Sequence, residues 1–153
     1  MIVVNISEQN LYLLQNDYIV FKSEVSTAIN GVGCQMDSNK TPNGLHIISS
    51  MIGHDKPIGT LFNSRLATNK IIREVPNDNK DYITSRIIRL SGLEYGYNKG
   101  GDVDSFNRYI YIHGTPHKDK IGTPQSHGCI RMTDIDVIQL YDLVKIKMLV
   151  MII

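Results

Sequence analysis

Residues 109–116 read "YIYIHGTP", and the alternation of their side chains decides how this part of the chain folds. Successive residues of a β-strand point to opposite faces of the sheet. The pattern predicts a strand with Tyr109, Tyr111 and His113 on one face and Ile110 and Ile112 on the other. Because "GTP" breaks the alternation, His113 is expected at the end of this strand, where a loop begins.

Further strands are predicted on both sides of this stretch. The runs "IVVNI", "NLYLL", "YIVFKSEVST" and "RIIRLSG" are rich in β-branched and aromatic residues, and "QND" is typical of a hairpin turn between the second and the third. Pro42 and Gly44 predict a tight turn just before another strand. The closing run "IKMLVMII" is interpreted as a central strand with both faces covered. The predicted fold class is mainly β.

One helix is predicted, at about 134–144, shortly after Cys129. Thr133 and Asp136 form a capping-box pattern. Apolar residues then recur at helical spacing, namely Val137, Leu140, Tyr141 and Val144. Residues 51–85 are polar and poorly periodic, which predicts a long loop with short elements and a possible lid over a site. Since no internal repeat or linker is visible, residues 1–153 are interpreted as a single domain.

The composition argues against several classes of protein. A chain of 153 residues with 42% hydrophobic and 20% charged residues is typical of a globular domain and not of a disordered one. A formal net charge of +1, without a long Lys or Arg run, gives little support for nucleic-acid or membrane-surface binding. The apolar end "MLVMII" is far shorter than the roughly 18 residues of a membrane span. No signal peptide is visible at the start of the sequence.

The stretch "SHGCIRM" around Cys129 collects groups that can activate a cysteine nucleophile. Only the thiolate attacks a carbonyl, so the thiol needs a base or a positive charge nearby. His113 and His127 are candidate bases, and Arg131 supplies a fixed positive charge. Gly128 would let backbone amides approach a developing oxyanion. The cluster favours a cysteine acyl-transfer site over a packing cysteine.

Outside this cluster, the same residue types have ordinary structural interpretations. Cys34, in "GVGCQMD", is expected to be a small buried hydrophobe or a free thiol in a loop. His46 and His54 are expected to be surface or minor packing groups.

A metal site is the main alternative for the same residues. His113 and His117 lie four residues apart, and His127 with Cys129 could complete a tetrahedral set. The intervening "GTP" is incompatible with a helix that would bring the first two together, and no second cysteine or carboxylate stands at a diagnostic spacing. A redox switch is equally disfavoured, because no resolving cysteine lies nearby. No metal is predicted.

The sequence "HGT" followed by "IGTPQSHGCIRM" resembles the signature of the L,D-transpeptidase catalytic domain, the YkuD type. The stretches "IVVNISEQNLYLL", "VST", "TPNG", "RLSGLE", "NKGG" and "DVIQLYDLV" also resemble family sequence. The likeness covers nearly the whole chain and is loose only at 51–85. It implies one catalytic domain over 1–153, an L,D-transpeptidase-like β-sandwich with few helices.

The resemblance also implies a role for each residue of the cluster. Cys129 is expected to be the nucleophile and His113 the general base that keeps it ionised, with the backbone carbonyl of Gly114 orienting the imidazole. The oxyanion hole is expected to be formed by the amides of His127, Gly128 and Cys129. Substrate binding is expected from Arg131, which would hold a carboxylate, and from Ser126. No cofactor is implied.

The implied chemistry is two-step acyl transfer on peptidoglycan stem peptides, at the bond between the third stem residue and the D-Ala at the fourth position. An amine acceptor would give a 3→3 cross-link or attachment of an envelope lipoprotein, whereas water would make the chain an L,D-carboxypeptidase. A non-catalytic wall-binding protein is the third possibility. The resemblance implies action in the periplasm or cell envelope and inhibition by carbapenems. The sequence does not separate the acceptors.

Overall fold

The computed structural model of the protein describes residues 1–78 and 80–153; Asn79, part of the 51–85 segment, lies outside the described residues. The strands are β1 (Ile2–Asn5), β2 (Asn10–Gln15), β3 (Tyr18–Glu24), β4 (Gly44–Ile52), β5 (Thr60–Asn63), β6 (Leu66–Ile71), β7 (Ile83–Gly92), β8 (Tyr111–Thr115), β9 (Ile130–Thr133) and β10 (Leu149–Ile152). One α-helix, α1 (Asp134–Leu143), and two 3₁₀ turns, Gly101–Val103 and Lys118–Lys120, complete the described elements.

The strands form one curled sheet in the order β3-β2-β1-β10-β4-β7-β5-β6, with β8 added to β7 and β9 added to β8. β7 pairs with β4 and then β5 along one edge and with β8 along the other, so the sheet branches there. β8 and β9 run parallel, with His113 opposite Arg131. The mainly β prediction, with a helix after Cys129, is confirmed.

The predicted local signals for the first hairpin and the helix are also found. Asn16 and Asp17 have φ of 49° and 65°, which forms the two-residue turn between β2 and β3 that "QND" predicts. Thr133 caps α1, because its Oγ1 accepts a hydrogen bond from the Asp136 amide at 3.2 Å. The helix ends at Leu143, one residue before the predicted boundary.

The main core lies between α1 and the sheet. The way β10 packs against this core corrects the prediction that the closing strand is covered on both faces. β10 does lie inside the sheet, between β1 and β4. Only one of its faces is buried, however, with Val150 and Ile152 inside and Leu149 exposed. α1 packs against β7, β8 and β9, so it covers the sheet elsewhere. The continuous apolar run therefore does not require burial of both faces.

The 51–85 segment is more regular than its sequence indicates. It holds the end of β4, the β5–β6 hairpin and the start of β7. β6 is an edge strand without a single buried residue, so it lacks the hydrophobic alternation by which a half-buried strand is identified. Between β6 and β7, residues 72–78 and 80–82 lie outside the helices and strands.

His46 and His54 lie in different environments. Of the two roles expected for His46, surface or minor packing, the structure shows a buried ring, whose nitrogens lie 3.0 Å from Gly44 O and 2.9 Å from Ser105 Oγ. His54 is exposed beside Asp55. Within residues 1–78 and 80–153, no helix is long and apolar enough to cross a membrane.

Candidate active site

The parallel pairing of β8 with β9 assembles the predicted cluster. His113 is the third residue of β8, and Arg131 lies directly across from it on β9. Cys129 immediately precedes β9 and therefore stands at the amino end of the same strand pair. The two parts of the sequence signature, sixteen residues apart from His113 to Cys129, meet because parallel strands place corresponding ends at one edge of the sheet.

His113 is held as an oriented hydrogen-bond acceptor. The side chain is 1% exposed, and its Nδ1 lies 2.8 Å from the carbonyl oxygen of Gly114. A carbonyl can only accept, so Nδ1 carries the proton and Nε2 keeps its lone pair in the neutral ring. Nε2 is buried and has no hydrogen-bond partner within the described part of the chain. This geometry is the one that the resemblance implies for Gly114.

The electrostatic surroundings keep this imidazole neutral. Burial lowers the pKa of His113, and the negative charge of Asp81 and the hydrogen bond to Gly114 offset part of that decrease. A neutral ring with a free Nε2 can accept a proton.

Gly114 has no room for a side chain. A Cβ there would lie 2.5 Å from the carbonyl oxygen of Thr84 and 2.6 Å from Oδ1 of Asp134. That carboxylate oxygen accepts hydrogen bonds from the hydroxyls of Thr84 and Ser85, each at 2.6 Å. β7, β8 and the start of α1 therefore converge on the backbone that orients His113.

The thiol of Cys129 is half-buried against an apolar cluster formed by Phe62, Ile87 and Tyr111. Its Sγ donates to the carbonyl oxygen of Tyr109 at 3.4 Å, and the Tyr111 amide lies close enough to hydrogen-bond to the sulfur. Burial raises the pKa of Cys129 to about 12, and the Asp81 charge adds to that rise against the opposing charges of two arginines. These two shifts favour a neutral thiol and a neutral imidazole, whereas the family resemblance implies an ionised cysteine.

The turn before Cys129 is held by Ser126, whose side chain is fully buried. Its Oγ donates to the carbonyl oxygen of Cys129 at 2.5 Å and accepts from the amide of Gly128 at 3.2 Å. The Gly128 carbonyl in turn accepts from Thr41 Oγ1 at 3.0 Å. In this structure Ser126 thus bonds to the turn instead of facing a substrate, and the Gly128 amide points inward. Neither orientation follows from the motif alone.

An unanticipated carboxylate, Asp81, faces the predicted site. Its Oδ2 lies 2.7 Å from Nη2 of Arg131 and 3.4 Å from Nδ1 of His127. Arg131 is 4% exposed, so the guanidinium expected to hold a substrate carboxylate is occupied by a carboxylate of its own chain. Burial pushes the pKa of Asp81 upward, but His113 and the Arg131 ion pair bring it below its ordinary value. The polar run that contains Asp81 carries no signal of this role.

Tyr109 departs from the predicted alternation. Its φ is 57°, and β8 begins only at Tyr111, so Tyr109 lies outside the strand and is 50% exposed. Arg65, from the turn of the β5–β6 hairpin, lies with its guanidinium carbon 4.7 Å from the Tyr109 ring centre. The same guanidinium donates to the hydroxyl of Tyr111 at 3.1 Å.

The residues of the metal alternative have other partners. His117 Nε2 lies 3.2 Å from the carbonyl oxygen of Lys80, and His127 faces Asp81. Across residues 1–78 and 80–153, no three His, Cys, Asp or Glu side chains are grouped so that they could hold a metal ion. Cys34 is half-buried in a loop, with Sγ 3.8 Å from the carbonyl oxygen of Asn43.

Comparisons with known proteins assign the chain to a family and match its fold. A family model described as the L,D-transpeptidase catalytic domain, YkuD, matches residues 1–152. No curated protein matches the chain. Three similar solved structures each match 99% of this chain. They are an L,D-transpeptidase from Mycobacterium smegmatis (14% identity, 57% of that chain, TM-score 0.58), L,D-transpeptidase 3 from Mycobacterium tuberculosis in complex with a faropenem-derived adduct (16%, 58%, 0.57) and an L,D-transpeptidase from Stackebrandtia nassauensis (17%, 54%, 0.54). The chain thus spans little more than half the length of these proteins.

Proposed function

Because the chain belongs to the L,D-transpeptidase catalytic domain family, we propose that it is a cysteine-dependent peptidoglycan L,D-transpeptidase. The observation that carries the proposal is the buried His113 ring, whose Nδ1 is tied to Gly114 and whose Nε2 has no partner among the described residues. Such a ring is arranged to take a proton from the nearby Cys129 thiol. The proposed substrate is a peptidoglycan stem peptide, and the proposed bond is that between its third residue and the D-Ala at the fourth position.

In the first step, the Cys129 proton passes to Nε2 of His113 while the sulfur attacks the scissile carbonyl. The raised pKa of the thiol and the lowered pKa of the imidazole mean that this transfer accompanies attack and does not precede it. The carbon–nitrogen bond of the tetrahedral intermediate then breaks. The leaving D-Ala amine takes the proton from the imidazolium, which leaves a thioester on Cys129.

The amides of His127 and Cys129 are the proposed donors to the oxyanion of that intermediate. Gly128 belongs to the same turn, but its amide donates to Ser126, so its contribution is to allow the turn at φ 132°. Ser126 would stabilise the turn through its hydrogen bonds to Gly128 and Cys129. A contact between its hydroxyl and the substrate would require the turn to open.

Arg131 would act first through the charge of its pair with Asp81. The guanidinium stabilises negative charge at the thiol, whereas the Asp81 carboxylate opposes it. A substrate carboxylate could reach Arg131 only by replacing Asp81. The two residues therefore set the balance of charge that the thiolate meets as it forms.

In the second step, an amine from a neighbouring stem attacks the thioester carbonyl and gives up a proton to Nε2 of His113. The carbon–sulfur bond then breaks, the proton returns to the sulfur, and the 3→3 cross-link is released from Cys129. An envelope lipoprotein amine would attack in the same way, and water would give the L,D-carboxypeptidase product. All three acceptors use the same Cys129 and His113. We place the activity in the periplasm or cell envelope, where the peptidoglycan substrate lies.

Mass spectrometry of purified disaccharide-tetrapeptide, incubated with the protein, tests the proposal. We expect a 3→3 dimer and free D-Ala from the wild type and neither from Cys129→Ala. Cys34→Ala is the matched control, since it removes the other thiol and should leave the dimer unchanged. Tripeptide without dimer would replace transpeptidase by carboxypeptidase. Absence of product, together with no mass added by imipenem, would refute a catalytic role.

A further inference from the structure

The turn of the β5–β6 hairpin places the Arg65 guanidinium against the two tyrosines whose main chains contact Cys129. Ser64 and Arg65 have φ of 47° and 71°, the backbone of a two-residue hairpin turn. This turn directs the Arg65 side chain back over the sheet, where it lies against the Tyr109 ring and donates to the Tyr111 hydroxyl. The guanidinium is therefore held in place by two aromatic side chains.

Both of those tyrosines touch the thiol through their main chains. The Tyr109 carbonyl accepts from Cys129 Sγ at 3.4 Å, and the Tyr111 amide approaches the same sulfur. Arg65 is thus connected to the nucleophile through Tyr109 and Tyr111, and Tyr109 is exposed.

The other arginines around the site are already occupied. Arg131 pairs with Asp81. Arg108 donates to the carbonyl oxygens of Gly33, Cys34 and Lys40, and Arg89 donates to that of Phe106. Within the described residues, Arg65 forms no ion pair with a carboxylate. Arg89 and Arg108 also lack a carboxylate partner among these residues, but their guanidinium groups donate to backbone carbonyls. Arg65 is held by the Tyr109 ring and the Tyr111 hydroxyl.

We propose that Arg65 binds the C-terminal carboxylate of the donor stem peptide, and that it thereby selects donors that end at the fourth-position D-Ala. This inference rests on the proposed function. The carboxylate of that D-Ala belongs to the residue that follows the attacked carbonyl, and one residue spans about 3.5 Å. A carboxylate there would extend from the sulfur toward the exposed Tyr109, against which Arg65 lies. A planar guanidinium is suited to it, because it can donate two parallel hydrogen bonds to one carboxylate.

Arg131 and Arg65 would then have different roles in the site. Arg131 is buried and contributes a permanent charge, compensated by Asp81. Arg65 is accessible and uncompensated, so it can exchange water for a ligand carboxylate. The alternative is that Arg65 only fastens the hairpin to the tyrosines, in which case donor chemistry should not matter to it.

A pair of donors separates these two roles. The donors are synthetic stem tetrapeptides with diaminopimelate as the third residue, one ending in D-Ala carboxylate and the other in D-Ala carboxamide. The variants are Arg65→Gln and Arg65→Lys, with Arg73→Gln as the matched control, since Arg73 is an arginine of the same 51–85 segment. The readouts are KM and kcat for release of the fourth residue, binding of each peptide to Cys129→Ala by calorimetry, and iodoacetamide alkylation of Cys129.

We expect the wild type to favour the carboxylate donor by roughly tenfold in KM, the effect typical of one charged hydrogen-bonding contact. Arg65→Gln should abolish this preference with kcat for the carboxamide donor unchanged, and Arg65→Lys should keep part of it. Arg73→Gln should behave like the wild type. Alkylation of Cys129 should be the same in all of these proteins, because Arg65 is not among the groups that shift the thiol pKa.

The proposal is overturned if the wild type binds both donors equally, or if Arg65→Gln keeps the preference. A uniform loss of kcat on both donors would assign Arg65 a structural role and would also overturn it. Failure of the proposed function is a different result. In that case neither donor is turned over, while calorimetry with Cys129→Ala still shows whether the carboxylate is preferred through Arg65.

Discussion

Two regions face each other across the Cys129 thiol, and they hold their charged groups in opposite ways. The first region, β8 and β9 with the turn before Cys129, fixes His113 and Arg131 by burial and by backbone contacts. The second, residues 53–78 and 80–82, reaches the site with Arg65 from a hairpin turn and Asp81 from the stretch just before β7. Its groups are partly exposed and held by side-chain contacts alone.

This difference indicates which groups can respond to a ligand. A histidine tied to the next carbonyl and shielded from water keeps one tautomer and one orientation, so it suits a step that is the same for every substrate. A guanidinium on an exposed hairpin can exchange partners at little cost. We therefore expect the first region to control chemistry and the second to control ionisation and donor choice.

The largest expected effect tests the first region at His113. His113→Gln removes the proton acceptor, and turnover should fall by about 10² to 10⁴-fold, the usual contribution of a general base. Steady-state release of D-Ala from the tetrapeptide measures it. His117→Gln is the control, since His117 is also buried after β8 but contacts Lys80. Comparable losses in both variants would contradict a special role for His113.

The next effect tests the second region at Asp81. Asp81→Asn should lower the pKa of Cys129 and that of His113, because the Asp81 charge raises both. The rate of iodoacetamide alkylation and the acid limb of kcat/KM should both shift to lower pH. If neither profile moves, the carboxylate does not govern ionisation at this site, and the contrast between the two regions fails.

The same substitution should also reduce stability in a pH-dependent way. Arg131 would be left buried without its partner, and we expect a loss of about 1–3 kcal/mol, since Asp81 is partly exposed. The folded-state pKa of Asp81 is depressed, so its stabilisation is present above the ordinary value of about 4 and is lost as pH falls through the folded pKa. Urea unfolding of wild type and variant should differ at pH 7, and the difference should shrink as pH is lowered toward 3.

A smaller effect probes the packing behind His113. Gly114→Ala would place a Cβ against the Thr84 carbonyl and the Asp134 carboxylate, and such overpacking costs about 1–3 kcal/mol. Urea unfolding measures the loss. Gly33→Ala is the control, because its new Cβ would meet only the flexible Lys40 side chain. Equal stability of the two variants would show that the backbone near His113 is less constrained than these contacts indicate.

The smallest expected effect concerns the N-terminal cap of α1. Thr133→Ala removes the cap of α1 and should cost about 0.5–2 kcal/mol, seen as a lower Tm. Turnover at temperatures well below Tm should hardly change, since the Thr133 side chain bonds to the helix start and not to the thiol. A large loss of activity without loss of stability would extend the catalytic region to the helix start.

Much of the fold that holds the first region could be predicted from the sequence, because the signals that predict it are local. Strand alternation, the hairpin turn at Asn16 and Asp17 and the cap at Thr133 depend on neighbours within a few residues, and all three are found. The broken alternation at Tyr109 is the exception, since its left-handed backbone is imposed by the surrounding structure. The family resemblance supplied the pairing of His113 with Gly114.

The second region could not be predicted in the same way. Arg65 and Asp81 stand in polar stretches without periodicity, and their partners, Tyr111 and Arg131, lie 46 and 50 residues further along the chain. The sequence left the role of His46 open between surface and packing for the same reason, because its hydrogen-bond partner Ser105 lies 59 residues later. Contacts over such separations leave no mark on local composition.

By itself, the sequence determined the mainly β class, the position of the helix and the set of residues that could support cysteine chemistry. Those properties follow from periodicity, turn chemistry and the reactivity of side chains. The tertiary structure alone decided that burial raises the pKa of the thiol and lowers that of the imidazole, and that Asp81 pairs with Arg131. It also decided that Arg65 lies against Tyr109 and Tyr111 without a carboxylate partner among the described residues. Ionisation depends on burial and on distances through space, and both arise only when the chain is folded.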